Sequence, residues 1–223
     1  MLSYSATATQ SLLLQGLSLS APDGRPLLRA AEATFHSLPT ALTGPNGSGK
    51  STLLRALATL HPIDAGAISL GGLDRGGNRT AYLAQLVFMP QNFPVYPSMT
   101  GQEFLEYGLL LRGAPRNNAR STASAWLQAV GLHSVAKAQA GTYSQGMRQR
   151  LGFAYALQLD VPLYLLDEPF AGVDPEWRSV MLDLLFSFCA NRIAIVSTHH
   201  ADEMLARGAG QVRIVREQLE NAW

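Results

Sequence analysis

Nine consecutive residues, Gly44-Pro45-Asn46-Gly47-Ser48-Gly49-Lys50-Ser51-Thr52, carry the strongest chemical signal in this 223-residue chain. They match G-x-x-x-x-G-K-[ST], a loop whose successive backbone N–H groups turn inward around a chain of phosphates. Gly44, Gly47 and Gly49 allow backbone angles and close approaches that a Cβ would obstruct. Lys50 can reach the outer phosphates, and the Ser51 hydroxyl can ligate Mg²⁺. Of the 17 basic residues only Lys50 and Lys137 are lysine, so a compact ammonium stands at the loop in a chain that otherwise uses arginine.

Other residues could complete a phosphate-cleaving site. Leu163–Leu166 is an apolar run followed by Asp167-Glu168-Pro169. A buried strand ending in acids puts carboxylates at the C-terminal edge of a sheet, where ligands sit in α/β folds. Asp167 could hold Mg²⁺ directly or through water, and Glu168 could orient or activate a water against the terminal phosphate. The plainer reading is an acidic strand end; the upstream phosphate loop favours the catalytic one. Gln91, after Leu86–Pro90, could touch Mg²⁺ or the attacking water. His199, after Ile193–Thr198, could hydrogen-bond the terminal phosphate, but His200 competes for the role and spacing leaves both open. Ser144-Gln145-Gly146-Met147 is a polar, Gly-containing helix start that could bind phosphate through N–H groups and the Ser144 hydroxyl, or simply cap the helix.

The elements that must position these groups are legible in part. Pro39–Leu42 reads as a strand end before the phosphate loop, and Ser51–Leu60 as the helix after it, whose N-terminus favours an anion. Leu12–Leu19 and Ala31–His36 alternate enough to read as strands, with Pro22-Asp23-Gly24 as a turn between them. Ala67–Leu70, ending at Gly71-Gly72, Leu86–Met89, Leu163–Leu166 and Ile193–Val196 are further strand candidates. Short apolar runs separated by helical stretches point to a largely parallel sheet covered on both faces. From Phe93 to about Tyr143 no convincing strand appears. Thr100-Gly101-Gln102-Glu103 has capping-box spacing before the apolar helix Phe104–Leu111, which stops near Gly113. Ser121–Val130 reads as a second helix, and Ser144 could cap a third running through Leu151–Leu159. Asp174-Pro175 would be a turn into the next helix.

Composition narrows the function classes. At 47% hydrophobic residues the chain can build a sizeable core, as one large domain or two lobes. A net charge of +1 gives no sign of a nucleic-acid-coating surface. The single Cys189 rules out an internal disulfide and, within Leu184–Ala190, reads as a small core residue. No basic residue precedes Arg25, Leu12–Leu14 is too short for a signal h-region, and no run approaches 18 apolar residues. A soluble intracellular protein is the expectation.

Taken together, in order and over nearly the whole chain, these motifs resemble one family, the ATP-binding subunits of ABC transporters. Gly44–Thr52 matches its Walker A motif, Gln91 the Q-loop, Tyr143–Met147 the signature motif, Leu163–Glu168 Walker B, Ala171–Pro175 with Asp174 the D-loop, and His199 the switch histidine. Met89–Gly113 also looks like subunits paired with export-type permeases of the ABC-2 kind. The resemblance implies an α/β fold: a P-loop NTPase core with a mainly parallel sheet, an N-terminal antiparallel β subdomain and a helical insert. It implies a single domain over 1–223, with 1–91 and 160–223 as a RecA-like core plus β subdomain and 92–159 as a helical subdomain carrying the signature. It further implies ATP and Mg²⁺ as ligands and a second ATP-binding subunit packed head to tail. Ser144, Gln145, Gly146 and Met147 of one chain would then close over the ATP held by the other. Glu168, His199 and Gln91 would be catalytic, and Ser51, Gln91 and Asp167 would hold the metal. A transmembrane permease on the cytoplasmic face of the cell membrane would supply the transport path and no nucleic acid would be involved.

Two departures from the family pattern carry expectations. The usual signature Leu-Ser-Gly-Gly-Gln is here Tyr-Ser-Gln-Gly-Met, so Gln145 would carry strain if its position requires positive φ. An aromatic that usually stacks on adenine is absent from Leu17–Ala21, which makes nucleotide selectivity loose. The chain also stops at Trp223, without the C-terminal extension of some relatives. A soluble ABC ATPase acting on ribosomes or DNA would carry tandem cassettes or long coiled-coil inserts, and neither is present. A P-loop kinase or GTPase would leave Ser144–Met147 unexplained.

Overall fold

The computed structural model describes residues 11–222. The expectation about a leader segment falls partly on residues 1–10, and Trp223 also lies outside the described residues.

Two sheets form the frame. The first is antiparallel, in the order β2-β1-β4-β5: β1 (Leu12–Ser20), β2 (Pro26–Phe35), β4 (Ala65–Leu70) and the short β5 (Leu73–Asp74). The turn expected at Pro22–Gly24 joins β1 to β2. The partial alternation of β1 has a physical cause. Leu12 and Leu14 face the core, the register shifts at Gln15–Gly16, and Leu17 and Leu19 face the core again.

The second sheet has the order β10-β9-β3-β8-β7-β6. β3 (Pro39–Thr43), β6 (Leu86–Met89), β7 (Leu163–Asp167), β8 (Ile193–Ser197) and β9 (Gly210–Val215) run parallel, and β10 (Gln218–Ala222) adds an antiparallel edge. Its central strands are apolar without alternation because both faces are covered. Leu163, Leu165, Ile193 and Ile195 enter a core shared with the antiparallel sheet and with α1 (Lys50–Leu57) through Leu53 and Leu57. Tyr164, Leu166, Ala194 and Val196 enter a second core with the helices on the opposite face.

Those helices are α3 (Gly101–Leu111), α4 (Arg116–Ala129), α5 (Gln145–Leu157) and α6 (Pro175–Phe188); α2 (Arg79–Ala84) and α7 (Ala201–Leu205) are short. The capping box is formed: Glu103 N–H donates to Thr100 Oγ1 at 3.2 Å and Thr100 N–H donates to Glu103 Oε2 at 2.9 Å. The Thr100 N–H and the Thr100 hydroxyl, both donating to Glu103 Oε2, lower the pKa of the Glu103 carboxyl. α4 starts five residues before the expected Ser121, because Pro115 opens the helix and Ser121 instead bonds back to the carbonyls of Asn117 and Asn118. Asp174 caps α6 by accepting from Trp177 N–H at 3.0 Å, with Pro175 as the first helical residue. Cys189 is fully buried at the end of α6, and burial pushes its thiol up to about 12. Only an isolated bridge, Thr100 with Gln139, interrupts the strand-free stretch from Phe93 to Tyr143. Among the described residues no helix is long and apolar enough to cross a membrane.

Candidate functional site

The C-terminal ends of the parallel strands converge on one cavity of about 410 Å³. The loop after β3, the segment after β6, the end of β7 with the residue after it, and the residue after Ser197-Thr198 all reach it, so Lys50, Ser51, Gln91, Asp167, Glu168 and His199 share its walls. Separations of more than a hundred residues in sequence have collapsed because parallel strands bring all their C-terminal ends to one edge.

The loop itself is tightly built. Gly49 has φ of 102°, and a Cβ there would lie 3.1 Å from Leu27 Cβ. A Cβ on Gly44 would lie 2.9 Å from Ser48 Oγ and 3.0 Å from the Ile214 carbonyl. Lys50 Nζ donates to the carbonyls of Gly44 at 2.8 Å and Pro45 at 3.1 Å, which hold the ammonium over the loop. Ser48 Oγ is buried with no hydrogen-bond partner among the described residues. A buried hydroxyl without a partner is costly unless a ligand or solvent supplies one.

Ser51 Oγ donates to Asp167 Oδ1 at 3.0 Å, and Ser197 Oγ donates to the same oxygen at 2.5 Å. Asp167 is buried at 2% exposure, so its carboxylate is fixed by these two hydroxyls. Ser51 and Asp167, with the Gln91 amide lining the same cavity, offer oxygen atoms of the kind Mg²⁺ takes. No cluster of three or more His, Cys, Asp or Glu is placed to hold a metal ion among the described residues.

Glu168 follows at φ of 47°, in the left-handed region that costs a side-chain-bearing residue energy. The neighbours over-determine it. Its N–H is shared between the Ser197 carbonyl and Ser197 Oγ, each at 3.0 Å, and its carbonyl accepts from Gln149 Nε2 at 2.9 Å. Its carboxylate lies 3.3 Å from His199 Nε2, the acid 12% exposed and the imidazole 64%. Burial raises the Glu168 pKa; the His199 ring and backbone N–H oppose that, and Asp167 adds to it. His200 turns away instead, with Nδ1 3.3 Å from Glu203 Oε1, and Glu203 is also held by Arg178 at 2.9 Å. Of the two histidines, His199 is the one that faces Glu168.

Ser144, Gln145, Gly146 and Met147 do not line this cavity. Ser144 caps α5, accepting from Met147 N–H at 3.2 Å, and Gly146 lies against the backbone of Gly172, just before Asp174. The signature and D-loop segments of one chain therefore touch each other. The expectation of strain at Gln145 is corrected. Gln145 is the first residue of α5 and is not among the residues with positive φ, since Ser144 absorbs the turn into the helix in extended conformation.

Three contributors were not anticipated. Ser197 ends an apolar run and gives no pattern to read. Gln149 is a polar residue on the buried face of α5, which is a usable signal. Arg25, from the β1–β2 turn, donates from Nη2 to the Gly47 carbonyl at 3.2 Å and lines the cavity with Ala21 and Leu27.

The sequence pattern of a family described as "ABC transporter" matches residues 36–171. The chain is 35% identical to the human "Retinal-specific phospholipid-transporting ATPase ABCA4" over 82% of its own length and 8% of that protein. It is 32% identical to the "Linearmycin resistance ATP-binding protein LnrL" of Bacillus subtilis over 71% of its own length and 51% of the relative. The chain thus spans about half or less of these relatives. A solved structure described as "Structure of ATP binding subunit of ABC transporter" superposes with a TM-score of 0.84 at 24% identity, covering 95% of this chain and 89% of that one, and so shares the fold.

Proposed function

The chain belongs to the ABC transporter family of ATP-binding proteins, and from that premise we propose that it hydrolyses ATP as one half of a nucleotide-closed dimer and so powers a membrane permease. The observation that carries the reading is the Glu168–His199 pair, 3.3 Å apart, beside the Ser51–Asp167 contact in the same cavity as Lys50.

The phosphate chain lies along Gly44–Thr52, with backbone N–H groups, Lys50 Nζ and Ser48 Oγ as donors. Ser51, Asp167 and Gln91 would hold Mg²⁺, which neutralises phosphate charge when bound. Glu168 accepts the proton of the attacking water. A half-buried carboxylate with a raised pKa is a stronger base than one in water, which suits it to that step. His199, largely exposed, has room to donate to the terminal phosphate, and its proximity works against the rise that burial causes in the Glu168 pKa.

One chain supplies only half of the enclosure, since Ser144–Met147 lie outside its own cavity. A second chain, the same or different, brings its own signature segment over the phosphates, and ATP shifts the open–closed balance by binding the closed state better. The permease docks on the α3 side. There Tyr96 and Leu111 are 54% and 64% exposed, and Tyr96 packs edge-on against Tyr107 beyond the Gln91 loop. The chain would act on the cytoplasmic face of the membrane through that partner. The relative named for linearmycin resistance supports an outward direction.

The test is Glu168→Gln. Steady ATP hydrolysis should fall by at least about a hundredfold, the scale of a lost general base, while ATP binding survives and gel filtration with ATP shows a dimer. Unchanged turnover would refute the role of Glu168.

A further inference from the structure

The cavity has two walls of different origin. The main sheet contributes Asp167, Glu168 and His199, the groups suited to a terminal phosphate and its metal. The antiparallel sheet contributes Ala21, Arg25 and Leu27, which offer neither a carboxylate nor a metal ligand. A nucleotide gripped by its phosphates must send its nucleoside somewhere, and the acid-bearing wall is taken by the phosphate chemistry. The wall from the antiparallel sheet remains. Among the described residues no aromatic side chain lines it: His199 carries the only ring around the cavity, and it is paired with Glu168.

Arg25 is the planar group on that wall. Its backbone is pinned at the hairpin tip. Arg25 N–H donates to Asp23 Oδ1 at 3.0 Å, and the Arg25 carbonyl accepts from Ala21 N–H at 2.8 Å. One guanidinium edge is fixed by the Gly47 carbonyl at 3.2 Å. Among the described residues Arg25 forms no ion pair and no aromatic ring stacks on it, and the residue is exposed. A guanidinium held by its edge presents its faces, and such faces stack on π-systems. Ala21 lines the cavity on the same side, and Leu27, packed on Gly49, gives an apolar neighbour.

We infer that Arg25 is the base platform of this site, its guanidinium plane stacking on the purine of the bound nucleoside triphosphate with Ala21 and Leu27 beside it. The inference rests on the nucleotide-binding reading above and names the contact that reading leaves unassigned. Because every purine has a π-face, the platform grips adenine and guanine nearly alike.

Equilibrium binding of ATP, GTP and inorganic tripolyphosphate to the wild-type chain, Arg25→Ala, Arg25→Lys and Arg25→Trp tests it. Arg25→Ala and Arg25→Lys should weaken ATP and GTP by roughly 2- to 30-fold, the scale of a cation–π contact, and leave tripolyphosphate within about twofold. Arg25→Trp should restore ATP binding by supplying another flat face. Unchanged ATP affinity in Arg25→Ala overturns the inference. So does an equal loss for ATP and tripolyphosphate, which would make Arg25 a support for the loop at Gly47. A wild-type chain that binds neither ATP nor tripolyphosphate removes the nucleotide reading itself, and this inference with it.

Discussion

Replacing Ser197 by Ala removes one oxygen from the middle of the site and changes almost no volume. That oxygen has two tasks. It donates to Asp167 Oδ1 at 2.5 Å and accepts the Glu168 N–H at 3.0 Å, in a residue with no exposed surface. The second loss is small, because the Ser197 backbone carbonyl also accepts from Glu168 N–H at 3.0 Å. The first is larger: a hydrogen bond to a charged group contributes about 1.5–3 kcal/mol. Asp167 keeps Ser51, so the carboxylate is weakened rather than orphaned. The expected cost is therefore about 1.5–3 kcal/mol of folding stability, or a drop in melting temperature of about 3–12 °C for a chain of this size. Urea titration of the wild type, Ser197→Ala, Asp167→Asn and the double variant forms a cycle that isolates the coupling of the pair. A loss below about 0.5 kcal/mol, or a double variant whose cost equals the sum of the singles, would refute the claim that Ser197 holds Asp167.

Two further predictions concern stability. Burial raises the folded-state pKa of Glu168, so between the ordinary carboxylate range and that raised value the folded chain keeps a proton that the unfolded chain has released. Its contribution is present below the unfolded pKa and is lost as pH rises through the folded one; urea titrations from about pH 4 to about pH 7 should show that slope, and Glu168→Gln should flatten it. Gly131 has φ of 68°, and a Cβ there would fall inside the Trp177 ring, which also carries the Arg150 guanidinium at 4.5 Å. Gly131→Ala should cost at least about 1–3 kcal/mol, measured by thermal unfolding, and the cost should shrink in a Trp177→Leu background.

Local signals predicted much of the fold. The capping box at Thr100–Glu103, the Ser144 cap and the turn at Pro22–Gly24 depend on residues within a few positions of each other, so their chemistry is visible in the chain. The strands β3, β6, β7 and β8 show as apolar runs because both faces of their sheet are buried. β9 and the edge strand β10 were missed for the converse reason: Gly210–Val215 and Gln218–Ala222 mix polar and apolar residues around exposed positions. α4 was started late because Ser121 resembles a cap, whereas Pro115 opens the helix. The Gln145 expectation failed because its backbone angle depends on where the helix begins, which a family pattern does not state.

By itself the sequence determined that this is a nucleotide-binding α/β chain with a Gly-rich phosphate loop, an Asp-Glu strand end and candidate partners at Gln91, Ser144 and His199. Types and spacings within short segments suffice for that, because a loop's backbone geometry and a helix cap are local matters. Tertiary structure alone decided which groups meet. Five parallel strands ending at one edge bring Lys50, Asp167 and His199 together, and they turn His199 rather than His200 toward Glu168. Packing of the second sheet against the first sets Arg25 beside the phosphate loop, 22 residues from Gly47. Contacts of that kind are set by how two sheets bury their shared apolar faces, and no short stretch of sequence records them.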